Sequence, residues 1–321
     1  MIVAGIDEAG LGPVLGPLVV SMAAVSVKDE LADQCMWGLL SGTVCRKATK
    51  RQSLVAVADS KKLYSGRRRG GIEHLERGVL AMLATRGLKP ASLDELVRLL
   101  APGAREEALA YPWYAGLDLA LPRHVSATNL ALASNSLSVG MARAGLELRT
   151  MRCELVFAGA FNAFVLATRN KSTTLFDVTG RLLVHLWRRF GRGRMRVYVD
   201  RQGGRMRYLP ALQRLFEGSR FKVLQEGETL SAYCIQDGDR CLEVFFSVRG
   251  EEKQLPVALA SMVSKYVREL CMELFNRFWS EQVPGLQPTA GYFADGRRFF
   301  ADIQPAVRRL GLDKALLYRS R

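Results

Sequence analysis

Metal-binding cysteine patterns are missing from this chain. Its six cysteines (Cys35, Cys45, Cys153, Cys234, Cys241 and Cys271) form no Cys-x-x-Cys pair. That spacing argues against a structural zinc site, and nothing marks a secreted disulfide scaffold. They read instead as small buried hydrophobes. Histidine is scarce, with His74, His124 and His185 scattered along the sequence, which argues against a zinc or His-based hydrolase. No stretch reaches the about 18 uninterrupted apolar residues of a membrane span. The N-terminus is apolar but has no basic n-region, and acidic residues stand at Asp7 and Glu8; it does not read as a signal peptide. The expected compartment is the cytoplasm. Internal repeats and low-complexity segments are absent as well.

What is present is a globular composition on a basic chain. Of 321 residues, 49% are hydrophobic and 24% charged, enough to bury a core as one large domain or two small ones. The formal net charge is +15, which speaks of partners rather than fold. Arg67-Arg68-Arg69 and the cluster Arg188, Arg189, Arg192, Arg194 and Arg196 would attract a polyanion, and nucleic acid is the expected one.

Along the chain, residues 2–7 read as a buried strand ending in a carboxylate. A Gly/Pro-rich turn from Ala9 to Pro17 leads into a second apolar run, 18–27, and the two are expected to pair antiparallel. Helical spacing covers 29–41, 72–86, 92–100 and 172–190. Strands are expected at 152–158, 195–200 and 221–225. The runs 230–235 and 241–248 flank Asp237-Gly238-Asp239 as a hairpin. A long helix is expected over 256–279 with Pro256 in its first turn, and a basic amphipathic helix over 297–310. Residues 88–148, with a further helix at 127–145, read as an inserted helical and irregular segment packed on a single domain spanning 1–321. Residues 284–321 form a small C-terminal helical part.

Two strands thus end in aspartates, Asp7 and Asp200, and the long helix carries Glu269 on one face with Ser261, Lys265 and Met272. Glu8 follows Asp7 directly. Hydrolysis of a phosphodiester needs an activated nucleophile and a stabilised leaving alkoxide, and two Mg²⁺ about 3.5–4 Å apart supply both. Mg²⁺ takes hard oxygen ligands, so clustered carboxylates without His or Cys meet that demand. Without a cation, such clustering raises the pKa of each member.

Four segments bear a resemblance, in the same order, to the ribonuclease HII family. Gly5-Ile6-Asp7-Glu8-Ala9-Gly10-Leu11-Gly12-Pro13, followed by Gly16-Pro17, closely resembles its opening signature. Asp59-Ser60-Lys61-Lys62-Leu63 is the second match and Val197-Tyr198-Val199-Asp200 the third. The fourth, from Ala260 to Glu269, is similar to the family's Ala-Ser-Ile-x-Ala-Lys-Val-x-Arg-Asp helix. The resemblance implies an α/β fold with a ribonuclease H-like mixed central sheet flanked by helices, carrying the insertion and an extra β-hairpin. It further implies that Asp7, Glu8, Asp200 and Glu269 form the catalytic and metal-binding set for Mg²⁺ or Mn²⁺. Ser60, Lys61, Lys62 and Lys265 would lie near substrate phosphates, the Gly10-Leu11-Gly12 backbone near the ribose 2′-hydroxyl, and Tyr292 against the sugar.

The expected activity is metal-dependent hydrolysis of the RNA strand of RNA–DNA hybrids. Two alternatives stay open: a catalytically weak or inactive nucleic-acid-binding relative, and a nuclease of the same fold acting on another structured DNA or RNA. The sequence departs from the family pattern in three places. Leu11 replaces an arginine, Glu269 stands for an aspartate, and Asp200 is followed by Arg201-Gln202-Gly203-Gly204 rather than directly by glycine.

Overall fold

Alternating and continuous apolar runs dictate a central sheet. The computed structural model describes residues 1–49, 51–64 and 71–320; Arg67-Arg68-Arg69 lie outside them. The chain opens with β1 (Ile2–Ala9) and β2 (Leu18–Val27), paired antiparallel. A short 3-10 turn at Asp29–Leu31 precedes α1 (Met36–Leu39), so the stretch 29–41 is two short pieces and not one helix. The two-residue strands β3 (Val44–Cys45) and β4 (Val55–Ala56) pair with each other, and α2 (Ser60–Leu63) follows.

Next come α3 (Glu73–Ala84), α4 (Leu93–Leu100), α5 (Ala104–Ala108), a 3-10 segment at Pro112–Leu117, α6 (Ala127–Arg143) and β5 (Leu146–Val156). The strand expected at 152–158 therefore starts six residues earlier. Helices α7 (Ala158–Thr168) and α8 (Lys171–Phe190) are separated where Arg169 turns left-handed at φ 51° and the Asn170 side chain caps the second helix. The remainder is β6 (Arg194–Asp200), α9 (Leu209–Leu215), β7 (Arg220–Glu226), β8 (Leu230–Asp237), β9 (Arg240–Ser247), α10 (Gly250–Lys253), α11 (Leu255–Gln282), α12 (Phe293–Arg309) and α13 (Lys314–Leu317).

The main sheet has seven strands in the order β5-β2-β1-β6-β9-β8-β7. Its middle three, β1, β6 and β9, run parallel, and the outer strands are antiparallel. The hairpin formed by β8 and β9 is thus part of the central sheet, with β9 hydrogen-bonded to β6. One face packs against α11, α3 and their neighbours; the other packs against α8 and α9. Parallel strands buried on both faces read as continuous apolar runs, which is why the first strand shows no polar alternation before Asp7.

Helix α11 crosses β1 at close range. A Cβ on Gly5 would lie 2.1 Å from the Val257 backbone nitrogen, so only glycine lets the helix sit there. On the same side, the fully buried Glu76 of α3 ties the chain after Pro122 to the core. Its carboxylate accepts N–H bonds from Arg123 (2.9 Å), His124 (2.6 Å) and Val125 (3.0 Å) and a bond from the Tyr266 hydroxyl (2.9 Å).

Changing Gly5 to Ala would force backbone against backbone. We expect a loss of about 1–3 kcal/mol or more, read as a lower denaturant midpoint at unchanged slope. An unaltered midpoint would mean that the helix does not approach the strand this closely.

Candidate metal centre

In open α/β sheets the carboxyl ends of parallel strands are where ligands gather. Here β1 ends on Asp7 and Glu8, β6 ends on Asp200, and β9 runs out through Ser247 into Gly250 and Glu251. Strand register sets the first two level, because Ile6 pairs with Val199 and Asp200 with Ser247.

Each carboxylate has a defined setting. Asp7 accepts the Glu8 N–H at 2.7 Å and a hydrogen bond from the Ser261 hydroxyl. That hydroxyl oxygen lies 3.0 Å from the one on Ser60. Burial drives the Asp7 pKa well up, and the charges of Glu8 and Asp200 add to it. Burial first and Asp200 second raise Glu8 to about 7. Asp200 accepts the Gly250 N–H at 2.9 Å. Glu251 is raised to about 7, by burial and then by Asp200. Its Oε2 is buried and has no hydrogen-bond partner. Burial and the neighbouring negative charge of Asp200 thus oppose ionisation of Asp7, Glu8 and Glu251 in this one corner.

Among the described residues, Lys61 faces them. Burial works to lower the Lys61 ammonium, but Asp59, Asp7, Glu251 and Asp200 outweigh it and hold it above the ordinary lysine range. Lys62 points elsewhere and pairs with Glu252 at 2.6 Å on the surface.

Glu269 does not join this group. It lies eight residues beyond Ser261 on α11, about 12 Å along the axis at 1.5 Å per residue. Its carboxylate accepts bonds from Lys265 (2.8 Å), Arg268 (3.4 Å) and the Tyr64 hydroxyl (3.1 Å). The expectation of Glu269 as fourth metal-site carboxylate is corrected accordingly: among the described residues the acid that stands with Asp7, Glu8 and Asp200 is Glu251, whose charge acts on Glu8 and which feels that of Asp200. Lys265 is likewise occupied by Glu269 and stands 4.3 Å from the Tyr64 ring centre, away from the strand ends. The rule that singled out Asp7 and Asp200, an acid at the end of a parallel strand, also points to Glu251 once β9 is seen to be parallel.

The glycine loop after β1 is held from inside. Gly10 has φ 90°, and a Cβ there would lie 2.5 Å from Arg268 Nε. The Arg268 guanidinium donates to Leu15 O (3.3 Å) and Ala290 O (3.0 Å). Leu11 packs its side chain on the core face shared with α8, and Gly12 is exposed. Tyr292, 55% exposed, follows Gly291, whose carbonyl accepts the Val14 and Leu15 N–H groups at 2.8 and 3.2 Å. Tyr292 therefore stands beside this loop. By contrast, Arg194 and Arg196 start β6, six residues before Asp200 at its first position, and pair with Asp29, Asp33 and Glu243. That basic cluster lies about 20 Å from the carboxylates at 3.3 Å per residue.

The donor set is all oxygen, and the orphaned Glu251 Oε2 among repelling carboxylates fits a hard divalent cation. As the side chains stand, no group of three or more His, Cys, Asp or Glu among the described residues is arranged to hold a metal ion. No described helix is long and apolar enough to cross a membrane.

No family model matches the chain, and no curated protein does. Solved structures do. Ribonuclease HII of Archaeoglobus fulgidus, in its PCNA complex, is 17% identical, with 100% of this chain and 95% of that one covered at a TM-score of 0.45. The ribonuclease H2 of Pyrococcus horikoshii OT3 is 16% identical, covering 99% and 92% at 0.43. A point mutant of Bst-RNase HIII is 14% identical and covers 99% of this chain at 0.50, while the chain spans 65% of its length. Identity at this level speaks for architecture only, and with the seven-stranded mixed sheet flanked by helices the chain has the ribonuclease H fold.

Proposed function

We propose that the protein is a metal-dependent endonuclease that hydrolyses the RNA strand of RNA–DNA hybrids. Asp7, Glu8, Asp200 and Glu251 would hold Mg²⁺ or Mn²⁺. The observation that carries this reading is the convergence of four acids, Asp7 buried and Glu8, Asp200 and Glu251 half-buried, on the ends of three adjacent parallel strands, with the Glu251 Oε2 buried and without a hydrogen-bond partner. Bound there, divalent cations supply an activated water and charge stabilisation for the leaving oxygen.

The chain's own groups do the rest. The Glu8 N–H and the Ser261 hydroxyl orient the Asp7 carboxylate, and the Gly250 N–H orients Asp200. Lys61 offers an ammonium next to the acids, suited to a substrate phosphate. The exposed backbone around Gly12 permits close approach of a sugar, and a 2′-hydroxyl is what distinguishes RNA from DNA at one position. Tyr292 offers an exposed ring beside that backbone. With Leu11 in place of an arginine, the loop tip lacks a charged phosphate contact of the kind that fixes register on a duplex. This favours, as a second reading, a nuclease of the same fold acting on another structured nucleic acid.

Incubation with Mg²⁺ or Mn²⁺ and a panel of hybrid, single-ribonucleotide, all-RNA and all-DNA duplexes separates the two. Cleavage of the RNA strand in hybrids is expected. Cutting of DNA but not hybrids would select the second reading. Asp7→Asn and Glu251→Gln should each lower the rate about 100-fold or more, as loss of several kcal/mol of charge stabilisation requires. Full activity in Glu251→Gln would remove it from the ligand set.

The raised carboxylates also give a pH signature. Glu8 and Glu251 at about 7, against 4.5 for an exposed Glu, stabilise the fold at low pH. That contribution is lost as pH rises through the folded value. In EDTA the thermal midpoint should therefore fall between about pH 5 and about pH 8. Millimolar Mn²⁺ or Mg²⁺ should raise it at the upper end and do little at the lower, because cation and proton compete for the same oxygens. A midpoint indifferent to cation at pH 8 would count against the metal site.

A further inference from the structure

We infer that Arg319, two residues from the last position in the sequence, is a positioning residue for sugar recognition. From inside the fold it sets the direction in which the glycine loop presents its backbone N–H groups. The inference rests on the proposed role of that loop and deepens it.

Arg319 is 1% exposed. One guanidinium nitrogen donates to Gly10 O (2.5 Å) and Gly16 O (3.5 Å), and the other to Leu11 O (3.0 Å). Its own backbone N–H donates to Val14 O at 2.8 Å. Four carbonyls of one short loop thus terminate on a single residue distant in sequence. The guanidinium lies 3.9 Å from the centre of the Phe161 ring, which fixes its plane. Asn162 ties down the chain on both sides. Its amide nitrogen donates to Ala315 O and Tyr318 O, both at 2.9 Å, and its oxygen accepts the Ser320 N–H at 2.6 Å.

Peptide planarity turns this anchoring into a statement about the opposite face of the loop. In a trans peptide the C=O and the following N–H point in opposite directions. With Gly10 O and Leu11 O drawn inward onto Arg319, the N–H groups of Leu11 and Gly12 are turned outward, where Gly12 is exposed. Two adjacent outward donors on a glycine-flanked turn can meet a hydroxyl or phosphate oxygen of a ribose unit. Only a planar fork holds two successive carbonyls in this way; an ammonium carries the charge without the geometry. Leu11 leaves the loop tip without a charged side chain, and Arg319 holds the same backbone from beneath without itself reaching the exposed face.

The test uses the full chain with Arg319→Ala and Arg319→Lys. The first readout is the ratio of affinities for a duplex containing one ribonucleotide and for the same all-DNA duplex. The second is hydrogen exchange at the Leu11 and Gly12 amides. The third is the cation-dependent rise in thermal midpoint. We expect the affinity ratio to fall about five- to tenfold in both variants, as loss of a hydrogen bond or two requires. Loop exchange should quicken locally, the cation-dependent rise should remain, and millimolar methylguanidinium should restore the ratio in Arg319→Ala.

An unchanged ratio would overturn the inference. So would a fall that accompanies global destabilisation and is not rescued, since that marks a merely structural arginine. If the unaltered protein shows no preference for the ribonucleotide, the substrate reading fails. Exchange then decides for Arg319 alone: local quickening at Leu11 and Gly12 upholds its hold on the loop, and no local change refutes it.

Discussion

Contact between α11 and β1 at Gly5 is the constraint from which the rest of the molecule follows. A helix can approach a strand this closely only where there is no side chain, and the approach brings the helix's serines onto the strand end. The Ser264 hydroxyl reaches Asp7 O at 3.0 Å and the Ser21 hydroxyl at 2.8 Å, and Ser261 reaches the Asp7 carboxylate. The chain entering the helix must turn sharply after β9, which sets Gly250 against Asp200. Helix position, strand register and carboxylate placement are therefore one geometric fact.

Charge is distributed to match. Acids crowd at the carboxyl ends of the parallel strands with Lys61 beside them, whereas the buried Arg268 and Arg319 sit under the glycine loop. Arg268 is balanced by Glu269. Among the described residues the Arg319 guanidinium has carbonyls and a ring as partners, and burial, with Arg268's charge second, pulls it down to about 9. Glu269 thus belongs to the electrostatics of the loop's support. An acid on the long helix and an acid at a strand end look alike in sequence; burial beside a guanidinium separates their roles.

Much of the architecture was legible because periodicity and punctuation agreed. Residues 2–6 form an unbroken apolar strand, 18–27 a largely apolar one and 195–200 one broken only by Arg196 before its terminal Asp200, and Pro256 opens the long helix. Within 88–148, the segment of opaque tertiary placement, the helices expected at 92–100 and 127–145 are present as α4 and α6. The misses have local causes. In 29–41 the apolar spacing resolves into a 3-10 turn at Asp29–Leu31 and a single α turn at Met36–Leu39 with Met36 and Trp37 buried, because the helical run breaks between them. At 146–151 an exposed alternation of Glu147 and Arg149 hid the start of β5. Glu251 was concealed because 241–248 read as half of a detached hairpin; parallel pairing with β6 is a tertiary event that no local pattern announces. The similarity ending at Glu269 drew attention to an acid within the matched motif and away from one just upstream of it.

The short helix α10 gives the site an uneven rigidity. Asp7, Glu8 and Asp200 ride on sheet strands locked by neighbours on both sides. Glu251 rides on four residues that begin at a glycine, and these are fastened through Lys62 on Glu252 and Arg46 on the Glu252 carbonyl. A carboxylate mounted this way can be lengthened or shortened by a methylene, or its turn re-angled, while the sheet and α11 stay where they are. Exchanging the acid at position 251 for aspartate would alter the reach of one side chain while leaving the sheet and α11 in place.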